Sequence, residues 1–422
     1  MTMLGLATDG GLATCFRTGG SVAGYFVVLS DSSSVTTCLS SGTYATILRP
    51  RPVGAWSSWA LPAEATMADY ACMQAGDHIY FFSSRQVYGI GRLVNVGNDC
   101  KYQNYPNSSA LTSVGYNDVQ EALLWDAGEG SENQRWICTF EPDPVFFANR
   151  VDMDDLLSSD VSAFRVVRTM ANRTFIRFDD EEDLAFRSAL LRANRSTFEE
   201  DLPTEEPFAV LNTSVHERIA DLTAGGAYSM SVTPLLTELA DGTAIRHEMA
   251  VEAGVVAQLT AGEPQTTAVF GEWDYISHQV PASPMKPSKW MDSMDMFGYA
   301  FMEGYEPVVS RYMVGEVKKD VAVPDDVEQV MRYVDWVKDE YAGGDYSMVR
   351  AFLVAHDFDD GVWARVASSG LRLYTIGRRP ARTLRWGGVE LRLVRYSFSE
   401  ATGLLQFEDV PRPSDTQGGD AL

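Results

Sequence analysis

Two regimes of hydrophobic patterning predict an α+β protein built from two units. Up to about residue 195 the chain offers short β-branched and aromatic runs broken by Gly, Ser and Pro (GYFVVLS, YATILRP, GDHIYFFSSRQVYGIGRLV), the pattern of a sheet-rich unit. From about residue 235 strands alternate with helices, the pattern of an α/β/α sandwich whose sheet is covered on both faces. Composition agrees with a folded chain. Its 422 residues are 45% hydrophobic and 22% charged, which leaves room for two or three domains at about 150 residues each.

The first domain is expected over 24–195. Its clearest element is a hairpin, with His78–Phe82 extended, Ser83–Gln86 turning and Val87–Val94 returning. RWICTFE and FRVVRTM read as further strands, and TFIRFDDEEDLAFRSALLRAN passes from a strand into a helix. FEEDLPTEEP, dense in carboxylates and carrying two prolines, marks 196–235 as an acidic linker. The second domain is expected over 236–410, with residues 411–422 (PRPSDTQGGDAL) as a disordered tail.

Charge narrows the function classes. With 34 basic against 58 acidic residues, net −24, the chain is no whole-surface phosphate binder, because phosphate contacts require cations. No apolar stretch approaches the roughly 20 residues of a membrane span. The amino terminus MTMLGLATDGG lacks the basic flank and apolar core of a signal peptide. A cytoplasmic protein with no membrane partner is expected. Cys15, Cys38, Cys72, Cys100 and Cys138 include no CxxC pair and are odd in number, so buried free thiols are expected rather than a zinc knuckle or a disulfide framework.

The sharpest signal is RYMVGEVKKD, residues 311–320. Strand alternation puts Glu316 and Lys318 on one face and Val317 on the other. A carboxylate and an ammonium so placed can serve metal-assisted hydrolysis, the acid holding a divalent cation and the lysine orienting water and stabilising developing charge. Upstream, Asp295 opens an apolar strand that can pair with 309–318 through the turn MEGYEP. That pairing would set Asp295 beside Glu316, two hard oxygen ligands suited to Mg²⁺. Asp292 competes for the role, and Asp295 is preferred because it abuts the strand.

Two helices flank this pair. TAIRHEMAVEAGVVAQLT is expected to start at Thr243 as N-cap, with Ile245, Met249, Val256 and Leu259 on one stripe and Glu252 in its middle. A carboxylate on an apolar face is costly unless paired or bound to metal, and Glu248 points nearby. PDDVEQVMRYVDWVKDEYAGG is expected to bury Val327, Val330, Val334 and Val337, while Gln329, Tyr333 and Trp336 line a second face.

An Asp, a hairpin to E-x-K and a helix opening V-E-Q-V-M-R-Y resembles the PD-(D/E)xK nucleases, the restriction-endonuclease-like fold, in the branch whose helix carries Q-x-x-x-Y. The resemblance covers roughly 236–400. It implies that Asp295 and Glu316 bind metal (Mg²⁺, with Mn²⁺ as a substitute), that Lys318 is the catalytic lysine, that Gln329 and Tyr333 support them, and that Glu252 adds a carboxylate. Between Leu371 and Tyr396 seven arginines face one acid, Glu390. Arg378, Arg379, Arg382 and Arg385 in that island, with Lys286 and Lys289 upstream, are the expected nucleic-acid contacts.

The Gly-Asp-plus-hairpin segment GDHIYFFSSRQVYGIGRLV resembles the PUA-like barrels of the EVE and YTH type. That resemblance implies a reader of modified bases, which stacks a flipped base on aromatic side chains, with Tyr44, Trp56, Trp59, Phe81 and Phe82 as pocket candidates. Tyr44 stands where related pockets place Trp. Together the two resemblances imply a metal-dependent DNA endonuclease of modification-dependent restriction or anti-phage defence, favouring a homodimer for double-strand cuts. The alternatives are a non-catalytic nucleic-acid-binding protein that keeps the nuclease fold as a scaffold, and an RNA-directed nuclease.

Overall fold

The computed structural model describes residues 22–46, 61–104, 115–167, 174–200, 211–226, 228, 230–282 and 292–411. It is a mixed α+β protein with two main sheets. Trp56, Trp59, Lys286, Lys289, residues 201–210 and all but the first residue of the expected tail lie outside the described residues.

The amino-terminal elements are β1 (Gly24–Val28), α1 (Ser32–Ser41), β2 (Thr43–Thr46), α2 (Leu61–Ala71), β3 (His78–Ser83), β4 (Gln86–Leu93) and β5 (Lys101–Gln103). Then come α3 (Tyr116–Val119), β6 (Trp136–Pro142), β7 (Val151–Asp152), α4 (Met153–Ser159), β8 (Ile176–Phe178) and α5 (Asp180–Ala193). The strand order is β2-β6-β4-β3-β1-β8, with β5 on β6 and β7 on β4. The β3–β4 hairpin forms as expected. Ser84 and Arg85 both have positive φ (50° and 64°), the two-residue turn whose twist matches that of its strands. The sheet curls at β6, which pairs with β2 and β5 through Trp136–Thr139 and with β4 through Phe140–Pro142. Strands β2 and β8 end the order without pairing to each other, so this is an open, curled sheet among the described residues and not a closed barrel. Side chains bridge the gap: the Tyr44 ring meets Phe175 edge-on, 5.1 Å between centroids.

The expected linker is largely helical where it is described: α6 (Arg195–Glu200), α7 (Ser214–Thr223) and α8 (Thr233–Leu239). Helix α7 docks on the first sheet. His216 Nε2 lies 2.9 Å from the Gly42 carbonyl, and Arg218 Nε donates to the Leu123 carbonyl at 3.1 Å. Ile219 is fully buried with Val96, Tyr102, Leu124 and Ile137. One apolar stripe of α7, with Ile219 in it, is buried against the first sheet.

The carboxy-terminal elements are β9 (Ala240–Asp241), β10 (Ala244–Ile245), α9 (Glu248–Thr260), α10 (Pro264–Phe270), β11 (Tyr275–Ser277), β12 (Val280–Pro281) and β13 (Ser293–Met294). They continue with β14 (Met296–Phe301), β15 (Val309–Ala322), α11 (Pro324–Glu340), β16 (Val349–Phe358), α12 (Val362–Ser369), β17 (Arg372–Ile376), β18 (Arg382–Trp386), β19 (Leu391–Ser399) and β20 (Leu404–Asp409). The second sheet runs β11-β14-β15-β16-β19-β20, with β15, β16 and β19 parallel. Helix α9 covers one face against Met313, Val317, Phe352 and Val354. Helix α11 covers the other against Val314, Ala351 and Leu353, through the expected Val327, Val330, Val334 and Val337. Helix α9 starts at Glu248 with His247 as N-cap, not at Thr243: Gly242 (φ 61°) turns β9 into β10, so Ile245 belongs to a strand.

Both cores run on into the first sheet. Helix α2 packs on α9, where Cys72 Sγ lies 3.2 Å from Thr260 Oγ1. The buried Arg177 donates to the Ile276 carbonyl at 2.6 Å, and Tyr299 donates to Asp180 at 3.0 Å. The four cysteines among the described residues are free and buried.

Gly298 lets β11 lie close on β14, since a Cβ there would sit 2.6 Å from the Tyr275 carbonyl oxygen. Backbone cannot yield, so Gly298→Ala is expected to cost about 2 kcal/mol in urea unfolding. Gly315→Ala should cost less, because its nearest obstacle is the flexible end of Met296.

Candidate active site

The site begins where a ladder ends. The β14–β15 pairing runs from Phe301–Val309 to Met296–Gly315 and stops there. The next rung is taken by a side chain: Asp295 Oδ2 accepts the Val317 N–H at 2.8 Å. Asp295 is therefore held against β15 by the strand's own hydrogen-bonding pattern. On β15, Val317 points into the α9 core, so Glu316 and Lys318 project on the α11 side. Glu316 is 1% exposed and Asp295 7%. Lys318 Nζ lies 2.5 Å from Glu316 Oε1 and 3.9 Å from Oδ1 of Asp326, in the first turn of α11.

Electrostatics mark this as a strained cluster. Burial, then the neighbouring Asp295, push the Glu316 carboxyl up to about 9. Burial and Glu252 raise Asp295 well above the usual carboxylate range. Burial disfavours the Lys318 ammonium, but Glu316 outweighs it and keeps Lys318 charged. Among the described residues Glu316 Oε2 is buried with no donor bonded to it, and its carboxyl neighbour is Asp295. Two buried carboxyl groups side by side disfavour the charged form of each, and a divalent cation with hard-oxygen preference fits that pair.

Glu252 reaches the cluster differently from expectation. It is 2% exposed, and His278 Nε2 hydrogen-bonds to its Oε2. Gln279 Nε2 lies 3.4 Å from the same Oε2 and 2.8 Å from Asp295 Oδ1. Among the described residues no three Asp, Glu, His or Cys side chains converge on one point as metal ligands. Asp295 and Glu316 are the pair that could hold a cation, and Glu252, the third carboxylate expected there, is hydrogen-bonded to His278. Glu248, one turn earlier, accepts the Lys319 N–H at 3.1 Å. Gln329 donates to the Tyr333 hydroxyl at 2.8 Å. The Tyr333 phenol is raised by burial and then by Glu316, which places it beside the acids. His278 and Gln279 went unnoticed in the sequence, where SHQVP carries no recognisable spacing.

The basic island divides. Arg372 pairs with Asp335, Arg392 with Asp409 and Arg395 with Asp357. Arg378 and Arg379 at the tip of the β17–β18 hairpin, Arg382 beside it and Arg385 near its base are all exposed. The hairpin is anchored by Trp386 Nε1, which donates to the Val349 carbonyl at the start of β16. Glu316 pairs with Leu353, four residues or about 13 Å further along that strand. Of the base-pocket candidates, Phe81 is fully buried against Phe140 and Phe147. Tyr44 is 5% exposed, with its hydroxyl on the Val28 carbonyl and Thr174. Both are core side chains, because the curl of the sheet turns them inward. Phe82, half-buried, packs on Phe26.

Among the described residues no helix is long and apolar enough to cross a membrane. No family model and no curated protein matches the chain. A crystal structure of a repair endonuclease from Pyrococcus abyssi is 28% identical over 27% of this chain and 42% of that one, with a TM-score of 0.18. The chain thus spans less than half of that protein's length, and a TM-score so low speaks for neither fold nor function.

Asp295→Asn keeps an acceptor for the Val317 N–H, can pair with Gln279 once that amide turns its oxygen toward the new N–H, and removes a carboxylate beside Glu252 and Glu316. In EDTA it is expected to match or exceed the wild-type urea midpoint. Asp295→Ala leaves a buried N–H and the Gln279 amide unpaired and should lose about 2–3 kcal/mol in the same measurement.

Proposed function

We propose that this chain is a metal-dependent endonuclease acting on DNA. One observation carries the reading: Asp295 and Glu316 meet around Val317 with the Lys318 ammonium 2.5 Å from Glu316. When bound, Mg²⁺ or Mn²⁺ supplies Lewis-acid charge neutralisation and a more acidic water. Asp295 and Glu316 would hold that ion. Lys318, kept charged, is a donor and not a base: its N–H groups orient the attacking water and neutralise a non-bridging phosphate oxygen as charge develops. Water oxygen bonds to phosphorus and gives up a proton to solvent, the bond to the 3′ oxygen breaks, and that oxygen takes a proton from solvent. Tyr333, tied to Gln329, lies buried beside the acids on the α11 side.

Support for a phosphate substrate comes from the hairpin. Four exposed guanidiniums, none ion-paired among the described residues, are a local cationic surface on a chain of net charge −24, suited to grip a phosphate backbone. Cleavage of both strands calls for two centres, which a homodimer supplies. The finer reading, a modification-dependent restriction or anti-phage enzyme with a base-reading amino-terminal sheet, rests on the sequence resemblance. Matched phage DNAs with and without modified cytosine test it; equal cutting of both removes it.

Digests of DNA and RNA in parallel with Mg²⁺ or Mn²⁺ test the central reading. Lys318→Ala is expected to lower the cleavage rate about 10³-fold with the folded circular-dichroism spectrum retained. A wild-type protein inert on both polymers overturns the nuclease reading.

Replacing Arg378, Arg379, Arg382 and Arg385 by Ala should weaken DNA binding at least about 10-fold. It should also flatten the salt dependence of log Kd by roughly 0.9 for each phosphate that is no longer neutralised, read by fluorescence anisotropy across a salt series.

A further inference from the structure

Between β11 and β12 the chain adopts a conformation that its residue type disfavours. Gln279 has φ +55°, the left-handed region where glycine sits freely and a long side chain is strained. Glycine is the cheap residue for such a link, and this chain uses glycine at many other positive-φ positions, among them Gly242, Gly262 and Gly271 nearby. A strained non-glycine residue beside a reactive centre raises the question of what its side chain does.

The register answers it. Ser277 pairs with Phe297 in the β11–β14 ladder, and Val280 pairs with Met294 in the β12–β13 ladder. These are two pieces of one antiparallel register, and the rung between them that sets Gln279 opposite Asp295 is missing. The left-handed turn of Gln279 breaks the ladder there. In its place the Gln279 amide donates to Asp295 Oδ1 at 2.8 Å, with Glu252 Oε2 3.4 Å away. The preceding residue, His278, binds Glu252. Two successive residues of one link thus hold two carboxylates that come from different elements.

The link is itself clamped. Two residues before His278, the Ile276 carbonyl accepts from the buried Arg177 at 2.6 Å, whose guanidinium also lies 5.1 Å from the Tyr275 ring centroid. With Oδ2 fixed on Val317 and Oδ1 on Gln279, the Asp295 carboxylate has a single orientation.

Resting on the nuclease reading above, we propose that Gln279 is a positioning residue. It fixes the rotamer of Asp295 so that the carboxylate is set for a divalent ion shared with Glu316, and it separates Asp295 from the like charge of Glu252. Groups that orient a metal-binding carboxylate without touching the ion commonly change affinity 10–100-fold when removed.

The test uses the full chain and Gln279→Gly, which relieves the backbone while deleting the amide. We expect a urea midpoint equal to or above wild type, Mn²⁺ affinity 10–100-fold weaker by electron paramagnetic resonance of free Mn²⁺, and kcat reduced with KM for duplex DNA unchanged. Gln279→Asn, also tolerated at positive φ but one methylene short, should likewise lose Mn²⁺ affinity, and serves if the glycine variant folds poorly. Wild-type Mn²⁺ affinity and kcat in either folded variant overturn the proposal and leave the nuclease reading standing. Wild-type protein that neither binds Mn²⁺ nor cuts DNA overturns both.

Discussion

The hydrogen bond from the Val317 N–H to Asp295 Oδ2 is the constraint on which the candidate centre depends. It forms because β14 leaves β15 after the Met296–Gly315 rung, and a backbone donor stranded in a buried place must find an acceptor. A carboxylate supplies it. That choice brings a second acid within electrostatic range of Glu316, which strand alternation had already turned to the α11 side. A sequence selected only for stability would put an amide or a hydroxyl there, since neither adds a buried like charge. The cluster instead keeps both acids and surrounds them with donors of three kinds: a backbone N–H, the Gln279 amide and the Lys318 ammonium. Each donor lowers the cost of keeping the acids, and among the described residues none is bonded to Glu316 Oε2.

Around the centre the two sheets act as one scaffold. Alternation along β1 sends Tyr25 and Val27 into the core that reaches α9, and Phe26 into the core that reaches α11. A single five-residue strand therefore contributes to both layers that sandwich the second sheet. Arg177 adds a polar tie at Ile276, beside the link that holds Glu252 and Asp295. Movement in the first sheet would be felt at that link sooner than at Lys318, which answers to α11 through Asp326.

How much of this the sequence disclosed follows from the range of each interaction. Period-two alternation is local, so Glu316 and Lys318 on one face and Val317 on the other could be read from E-x-K alone. Helix α11 was legible for the same reason, since its valines repeat at helical spacing and Pro324, Asp325 and Asp326 mark its start. The start of α9 was misplaced because Thr243 is a good N-cap in isolation, whereas Gly242 at φ 61° makes a β turn that tertiary pairing stabilises. Helix α7 was not read within 196–235 because acid density is an average over the surface, while Ile219 is a single buried side chain. His278 and Gln279 left no trace, for their role depends on contacts with Glu252 and Asp295, 26 and 16 residues away in sequence.

Net charge was the least informative of the sequence signals, for a physical reason. Fields from exposed charges decay over about 8 Å at physiological salt, so a phosphate meets its near neighbours and not the sum over the chain. Three of the seven arginines in the island are neutralised by Asp335, Asp409 and Asp357. The remaining four stand clear on a hairpin whose register, Ile376 opposite Arg382, sets Arg378 and Arg379 at its tip. Among the described residues those four guanidiniums form a local cationic surface, so a phosphate approaching that hairpin would meet them and not the net charge of the chain.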